Sequence, residues 1–398
     1  MADDRAYDIV LFGATGYTGG LTAEYLAEHA PPHTRWALAG RNRAKLEAVR
    51  DRLAAISPAC GQLPLLHADA ADPASLRKVA ESARVVITTV GPYLRYGEPL
   101  VAACARAGTD YVDLTGEPTF VDLMYVRHHE EAVRSGARIV HACGFDSVPH
   151  DLGVYYTVKQ LPEGAPLQVE GFLRLEADFS GGTLHSFVEV LADLPGMMRA
   201  EQARRRVEPR PAGRRIRISR RPVPHTPIKG WALPLPTIDP QIVARSAAAL
   251  DRYGPDFSYG HYLAVRRAAT AAALTAGVGA ATALAQLPPT RSLLLRLRGS
   301  GEGPTAEQMA RHWFRVTFAG RVTGGAHAGR EVVTEVSGGD PGYGETAKML
   351  AESALCLAHD DLPPTRGQVT TAVAMGDALI DRLTRAGISF RVVRSSAA

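Results

Sequence analysis

The feature that most constrains this chain lies near its N-terminus, where the apolar run Tyr7-Asp8-Ile9-Val10-Leu11-Phe12 enters Gly13-Ala14-Thr15-Gly16-Tyr17-Thr18-Gly19. A short strand, three glycines each separated by two residues, and a segment with Leu21, Tyr25 and Leu26 on one face read as strand, phosphate turn and helix. Each glycine has its own task. Gly13 lets the chain turn tightly, Gly16 lets a pyrophosphate approach the backbone, and Gly19 lets helix and strand pack closely. The N–H groups and positive dipole end of the helix then meet the phosphates. The spacing is G-x-x-G-x-x-G rather than the commoner G-x-G-x-x-G, and an ordinary glycine-rich turn has the same letters. The strand before and the helix after it favour a dinucleotide site.

Strand and helix alternate from here to about residue 150, which predicts a Rossmann-type, doubly wound parallel sheet over residues 1–150. A second strand over 35–40 ends at Arg41-Asn42-Arg43, with Lys45 close behind. This position meets the adenosine ribose, and a basic residue there suits the 2′-phosphate of NADP better than the 2′-hydroxyl of NAD. Arg41, Asn42 and Lys45 are therefore expected around that phosphate, although a solvated helix start would look similar. The third strand, 63–67, delivers Asp69 toward the adenine, and Asp72 before Pro73 reads as a helix cap. The β-branched run 84–90 stops at Gly91-Pro92, where a flat ligand can lie against the backbone. Tyr93 and Tyr96 either line a nicotinamide pocket there or pack in the core. Strands over 109–114 and 137–142 deliver Thr115-Gly116-Glu117-Pro118 and Cys143-Gly144-Phe145-Asp146-Ser147-Val148-Pro149-His150-Asp151 to the same edge.

Beyond Asp151 the pattern changes to a second, α+β domain over 151–340, placed before C-terminal helices in 341–398. A helix over 152–161 precedes alternating Val169, Gly171, Leu173, Leu175 and Ala177, and Ser180-Gly181-Gly182-Thr183 reads as a turn. Residues 201–240 are rich in Arg and Pro, with Arg204-Arg205-Arg206, Arg214-Arg215 and Arg220-Arg221. Such a run reads as a solvated face, or as a docking patch for an acidic partner or an anionic lipid surface. An alanine-rich helix is expected over 263–287, and its 268–287 portion carries no charge. Its length suits a membrane span, but alanine, threonine and glycine add little transfer energy. A helix packed by small residues against its neighbours is favoured; if exposed, it becomes an apolar wall for an acyl chain or a membrane contact. Alternation around a glycine-rich turn predicts a hairpin over 313–320 and 330–336.

Composition sets outer limits. The 398 residues, 46% hydrophobic and 22% charged, suit a globular protein of two domains. A net charge of +4 argues against a dedicated nucleic-acid binder. Cys60, Cys104, Cys143 and Cys356 are scattered without metal-ligand spacing, so a reduced, cytoplasmic protein without a metal is expected. Membrane association stays open through the alanine-rich helix. The acidic start, Met1-Ala2-Asp3-Asp4-Arg5, is not expected to act as a signal peptide.

Taken together, the glycine loop, Ala39-Gly40-Arg41, Gly91-Pro92-Tyr93, Tyr111-Val112-Asp113-Leu114-Thr115-Gly116-Glu117 and Cys143-Gly144-Phe145-Asp146-Ser147-Val148-Pro149 resemble the saccharopine dehydrogenase-like oxidoreductases. Gly301-Glu302-Gly303-Pro304, Asp340-Pro341-Gly342-Tyr343 and Ala374-Met375-Gly376-Asp377 resemble their bacterial trans-acting enoyl reductase branch. Thr370-Thr371-Ala372 departs from the branch's usual Thr-Pro-Ala. The resemblance implies NADPH-dependent reduction of C=C bonds in lipid or polyketide-derived thioesters. It also implies a substrate presented by a polyketide synthase or carrier protein, and C-terminal helices that return to the Rossmann side. Such a reaction needs donors for a developing thioester oxyanion and a proton for the α-carbon. Tyr93, Tyr96, Asp146, Ser147 and His150 are the candidates, although Ser147 also suits a helix cap and Asp146 a loop anchor. A saccharopine-type C–N oxidoreductase, with Arg95 and the 201–221 arginines gripping carboxylates, is a second reading. A catalytically silent nucleotide- or lipid-associated binding protein is a third. A homodimer is compatible with each.

Overall fold

The computed structural model describes residues 5–177, 192–219, 230–286 and 304–396. The expected Ser180-Gly181-Gly182-Thr183 turn, the Arg220-Arg221 pair and Gly301-Glu302-Gly303 lie outside the described residues. The described chain divides into two compact units. The first runs to Asp146 and takes in Ala200–Arg204 and Tyr343–Arg382; the second holds Ser147–Arg199, Arg205–Gly342 and the chain from Leu383.

Strands that are apolar on both faces need helices on both sides. In the first unit β1 (Tyr7–Phe12), β2 (Trp36–Gly40) and β4 (Ala83–Thr88) are buried almost throughout. With β3 (Leu65–His67), β5 (Asp110–Asp113), β6 (Arg138–Val140) and β13 (Gly367–Val369) they form one sheet in the order β13-β6-β5-β4-β1-β2-β3. Every pair in it is parallel. The strand order reverses between β1 and β4, the point at which sheets of this kind bind ligands. Helices α1 (Tyr17–His29), α2 (Arg43–Ile56), α3 (Pro73–Ser82), α4 (Tyr93–Tyr96), α5 (Glu98–Ala107) and α6 (Pro118–Ser135) connect the strands. The helix Gly344–His359 packs on α1, β1, β4 and β5. Strand β13 carries no sequence signal, because three residues without alternation look like loop.

The second unit is a mixed sheet. It contains β7 (Leu167–Glu176), β8 (Arg215–Ser219), β9 (Trp231–Pro234), β10 (Asp256–Val265), β11 (Trp313–Val322), β12 (Glu331–Gly338) and β14 (Ser389–Ser395). Its order is β14-β12-β11-β7-β10-β8, with β9 also on β10. The β11/β12 hairpin is antiparallel, from Phe314 opposite Gly338 to Arg321 opposite Glu331. Helix α7 (Val148–Lys159) lies on β7, β11 and β12, so the first unit ends before Ser147 rather than at residue 150. The closing segment also departs from expectation: β14 pairs with β12 instead of following the preceding helices to the first unit.

Two readings of the middle region are corrected. The arginine run is not simply solvated or free for docking. Arg204 is buried and paired with the buried Asp122 of the first unit. In the second unit Arg214 donates to the carbonyls of Ala247 (2.6 Å), Leu250 (2.8 Å) and Gly254 (3.2 Å), closing the C-terminal end of the helix Asp239–Ala249. Unpaired helix carbonyls are the natural place for such a cation. The alanine-rich helix starts at Ala268 rather than 263, since β10 extends to Val265, and only Ala271 and Ala285 in it are buried. Being apolar on every side, it presents no one face for a core to select.

Close packing of α7 rests on Gly153. A Cβ there would lie 2.3 Å from the ring of Phe318, itself fully buried. Alanine in place of glycine in an open helix stabilises by about 1 kcal/mol, but overpacking a core costs about 1–3 kcal/mol. Gly153→Ala is therefore expected to lower the melting temperature, and adding Phe318→Leu to recover part of the loss; a rise with Gly153→Ala alone would contradict this packing.

Candidate active site

Gly13 leaves β1 at φ +103°, in the region that disfavours side chains. A Cβ there would meet Thr89 Oγ1 at 2.6 Å, and one at Gly19 would meet the Gly13 carbonyl oxygen at 2.2 Å. That oxygen accepts the Gly16 amide at 3.0 Å and the Thr89 hydroxyl at 3.2 Å, which ties the end of β4 to the loop after β1. Around Gly16 the space is open except for the same oxygen at 3.4 Å. Gly16 is the N-cap of α1, whose first turn holds no acidic residue. Such a helix start is suited to an anion. Thr15 and Gly16 are exposed, Ala14 is buried, and Tyr17 and Thr18 are half-buried.

Past β2, the exposed Asn42 accepts the Lys45 amide at 3.0 Å through its side-chain oxygen and caps α2. Arg43 pairs with Glu47. Arg41 and Lys45 are exposed, and among the described residues neither side chain has a partner. Two unpaired cations beside a glycine cradle that excludes Cβ atoms fit a dinucleotide carrying a 2′-phosphate. After β3, Asp69 accepts the Ala71 amide at 2.9 Å, so one of its oxygens already serves its own turn. Asp72 caps α3 through the Ala74 amide, as its sequence position suggests.

At the end of β4 the chain passes Gly91 and Pro92 into α4. Tyr93 does not line an open pocket. Its buried hydroxyl donates to the Thr88 carbonyl at 3.1 Å and accepts the Leu114 amide at 3.4 Å. Burial and the nearby Asp113 carboxylate push it well above the usual tyrosine range. Tyr96 is 37% exposed, with the Arg95 guanidinium 5.1 Å from its ring centre.

Sequence reasoning missed the groups that hold these loops. Buried Glu117 accepts the amides of Tyr93 (3.0 Å) and Leu94 (2.8 Å), so a carboxylate from the loop after β5 caps the helix after β4. Asp113, fully buried, accepts the Tyr111 hydroxyl at 2.9 Å, His141 Nδ1 at 2.7 Å, and the amides of Thr115 and Ala142. Ala142, at φ +59°, is held in the left-handed region by that bond. Their only sequence signal was acidic residues at strand ends. Asp146 is half-buried, and its carboxylate lies 3.4 Å from a Cβ position at Gly116 and 2.8 Å from one at Gly144. It sits against the backbone of both strand-end loops. Burial drives the adjacent Cys143 thiol well above its usual range, away from nucleophilic use.

Ser147 and His150 belong to the second unit. Ser147 is at the N-cap of α7, but its side chain makes no capping bond; its buried hydroxyl has no partner among the described residues. His150 Nδ1 is 2.7 Å from Asp239, whose other oxygen is 3.5 Å from His261 Nε2. His261 Nδ1 is 3.0 Å from the Tyr259 hydroxyl, and all these groups are buried. Asp151 beside them accepts the Ser246 hydroxyl at 2.5 Å. Burial alone would raise the Asp239 pKa, but the facing imidazoles hold it below the usual carboxylate range. His150, Asp239 and His261 offer three ligand-type atoms within 4.8 Å of one another. A structural zinc takes four, and His150 Nδ1 lies in ion-pair contact with Asp239 at 2.7 Å.

Burial pushes His261 from 6.5 down to about 3. The unfolded chain therefore takes up this proton first on acidification. The contribution of neutral His261 is complete above about pH 6.5 and falls toward pH 3, by up to about 1.4 kcal/mol per pH unit. Melting temperatures between pH 7 and 4.5 are expected to drop more steeply for the wild type than for His261→Gln; equal slopes would contradict a buried neutral imidazole.

Residues 9–140 match the family described as saccharopine dehydrogenase NADP binding domain. The chain is 40% identical to a Mycobacterium tuberculosis protein provisionally named a trans-acting enoyl reductase, with 99% of both chains covered. It is 36% identical to the trans-acting enoyl reductase of Mycobacterium ulcerans, covering 98% of both chains. For that of Mycobacterium leprae the identity is 37%, with 99% of both covered. Apo saccharopine dehydrogenase (L-Glu forming) from Saccharomyces cerevisiae shares the fold: the TM-score is 0.54 at 13% identity, over 98% of this chain and 100% of that one. On this full-length relatedness, the chain is an NADP(H)-dependent oxidoreductase of the saccharopine dehydrogenase-like group and belongs to the trans-acting enoyl reductase family.

Proposed function

We propose that this protein uses NADPH to reduce the C=C bond of an enoyl thioester on a lipid or polyketide-derived chain. The observation that carries the cofactor half is the glycine cradle with unpaired Arg41 and Lys45 beside it. The relatives' name supports the reaction class. It also supports a substrate presented by a separate synthase or carrier protein. The four cysteines are free and buried, which fits a reducing, cytoplasmic setting.

In this reading Gly13, Ala14, Thr15, Gly16, Tyr17, Thr18 and Gly19 hold the pyrophosphate, with Arg41 and Lys45 on the 2′-phosphate. Asp69 is assigned to the adenine, and Gly91 and Pro92 offer a flat backbone edge for the nicotinamide. When bound, NADPH supplies the hydride. The chain's own task is to orient the reacting carbons, exclude water and stabilise charge on the thioester oxygen. Of the two tyrosines, Tyr93 has its hydroxyl engaged and Tyr96 is partly exposed, so Tyr96 is the one fitted to donate a proton or hydrogen bond. Tyr93 and Asp146 hold the loops, while Ser147 and His150 act from buried positions as supports.

A saccharopine-type reaction would need free cations for the substrate's carboxylates. Arg204 is paired with Asp122 and Arg214 with helix carbonyls, which disfavours that reading.

An enoyl thioester is expected to oxidise NADPH stoichiometrically, with no oxidation by an amino-acid and keto-acid pair; the opposite pattern would overturn the proposal. Arg41→Ala is expected to raise the NADPH Kd about 10- to 100-fold, the value of a charge-assisted bond, and to leave NADH binding unchanged. Equal effects on both nucleotides in a binding titration would contradict the assignment. Tyr96→Phe is expected to lower kcat by about 10²-fold or more with NADPH binding intact, and an unchanged kcat would remove Tyr96 from the chemistry.

A further inference from the structure

The helix Ala268–Ala285 plays no part in the reaction above. It has no charged residue, a mean hydropathy of 1.5, and only 11% of it is buried. Leu274, Val278 and Leu284 are each about 40% exposed, and a Cβ added at Gly277 or Gly279 would meet nothing within 4 Å. Among the described residues, nothing covers most of this surface. Soluble monomers seldom leave a contiguous apolar surface of this kind, and those that do generally use it for contact.

The charge around the helix indicates what contact it makes. Arg266 and Arg267 precede it and are exposed. Burial and the like charges of Arg266 and Arg315 push the Arg174 guanidinium below its usual range, while Arg315 itself pairs with Glu335. From residue 257 to 301 the sequence holds five arginines (Arg266, Arg267, Arg291, Arg296 and Arg298) and no Asp or Glu. A second copy docking through this helix would bring the same positive charges to the interface and no acidic partner from the segment. A surface of lipid phosphates would bring the complementary charge.

We propose that Ala268–Ala285, together with Arg266 and Arg267, is a docking face for an anionic phospholipid bilayer. Eighteen residues make a helix about 27 Å long, near the thickness of a bilayer core. Alanine, glycine and threonine are too weakly apolar to drive a stable span. The helix enters the boundary between headgroups and acyl chains, and the arginines pair with phosphates at its rim.

The test uses the full-length protein in vesicle flotation, with phosphatidylcholine alone and with an equal mixture of phosphatidylcholine and phosphatidylglycerol. The native cysteines are all buried, so Val278→Cys offers one accessible position for an environment-sensitive dye. The expected results are flotation with the mixed vesicles only, weakened by salt, and a blue shift of the dye on binding. Leu274→Asp with Val278→Asp, and separately Arg266→Glu with Arg267→Glu, are expected to weaken binding at least tenfold, since one arginine at such a surface is worth about fivefold. NADPH binding by the same variants reports that they are folded. Should a variant fail to fold, the labelled protein still decides the matter. No flotation and no dye shift on the mixed vesicles would overturn the proposal. Vesicle binding that both double variants retain would also overturn it. Light scattering showing a dimer that Leu274→Asp dissociates, without vesicle binding, would assign the face to a second copy instead.

Discussion

The carbonyl oxygen of Gly13 accepts the Gly16 amide and the Thr89 hydroxyl, and it leaves no room for a Cβ on Gly19. Through this one atom the turn after β1, the start of α1 and the end of β4 are held together. The geometry requires glycine at two positions for different reasons, backbone conformation at Gly13 and close approach at Gly19. It leaves Gly16 with open space, at the point where the strand order reverses. The cofactor site proposed at this edge rests on that packing.

Each unit carries a buried carboxylate with an imidazole partner. In the first, Asp113 meets His141, and its four bonds set the loops after β5 and β6. In the second, Asp239 meets His150 and lies near His261, against α7 and β10. Removing one partner from a buried charged pair is costly. Asp113, with its four bonds, fixes the arrangement of the loops it joins. Both networks lie at the ends or beginnings of segments that also carry site candidates: Asp113 at the end of β5 and His150 in the first turn of α7.

The parts legible in the sequence were those whose physics is local. The glycine spacing, the apolar run of β4, the Asp72 cap and the basic residues after β2 depend on neighbours within a few positions. What stayed hidden depends on distant partners. Tyr93 could be read as a pocket or a core residue because the Leu114 amide that its hydroxyl accepts and the Glu117 carboxylate that caps its helix come from more than twenty positions away. Arg214 looked like part of a solvated run because the carbonyls it closes lie more than thirty positions away. The exposure of Ala268–Ala285 was illegible for a related reason: a helix apolar all round suits a core or a lipid surface equally.

The central claim is that the cradle and the loops on its edge serve hydride delivery to an enoyl thioester. The most direct measurement is a single turnover with NADPH deuterated at C4, followed by mass spectrometry and NMR of the product. The account predicts a saturated thioester with one deuterium at the β-carbon and a solvent-derived proton at the α-carbon. No deuterium in the thioester product, with deuterium instead on the carbon beside nitrogen when an amino acid and a keto acid are supplied, would contradict it.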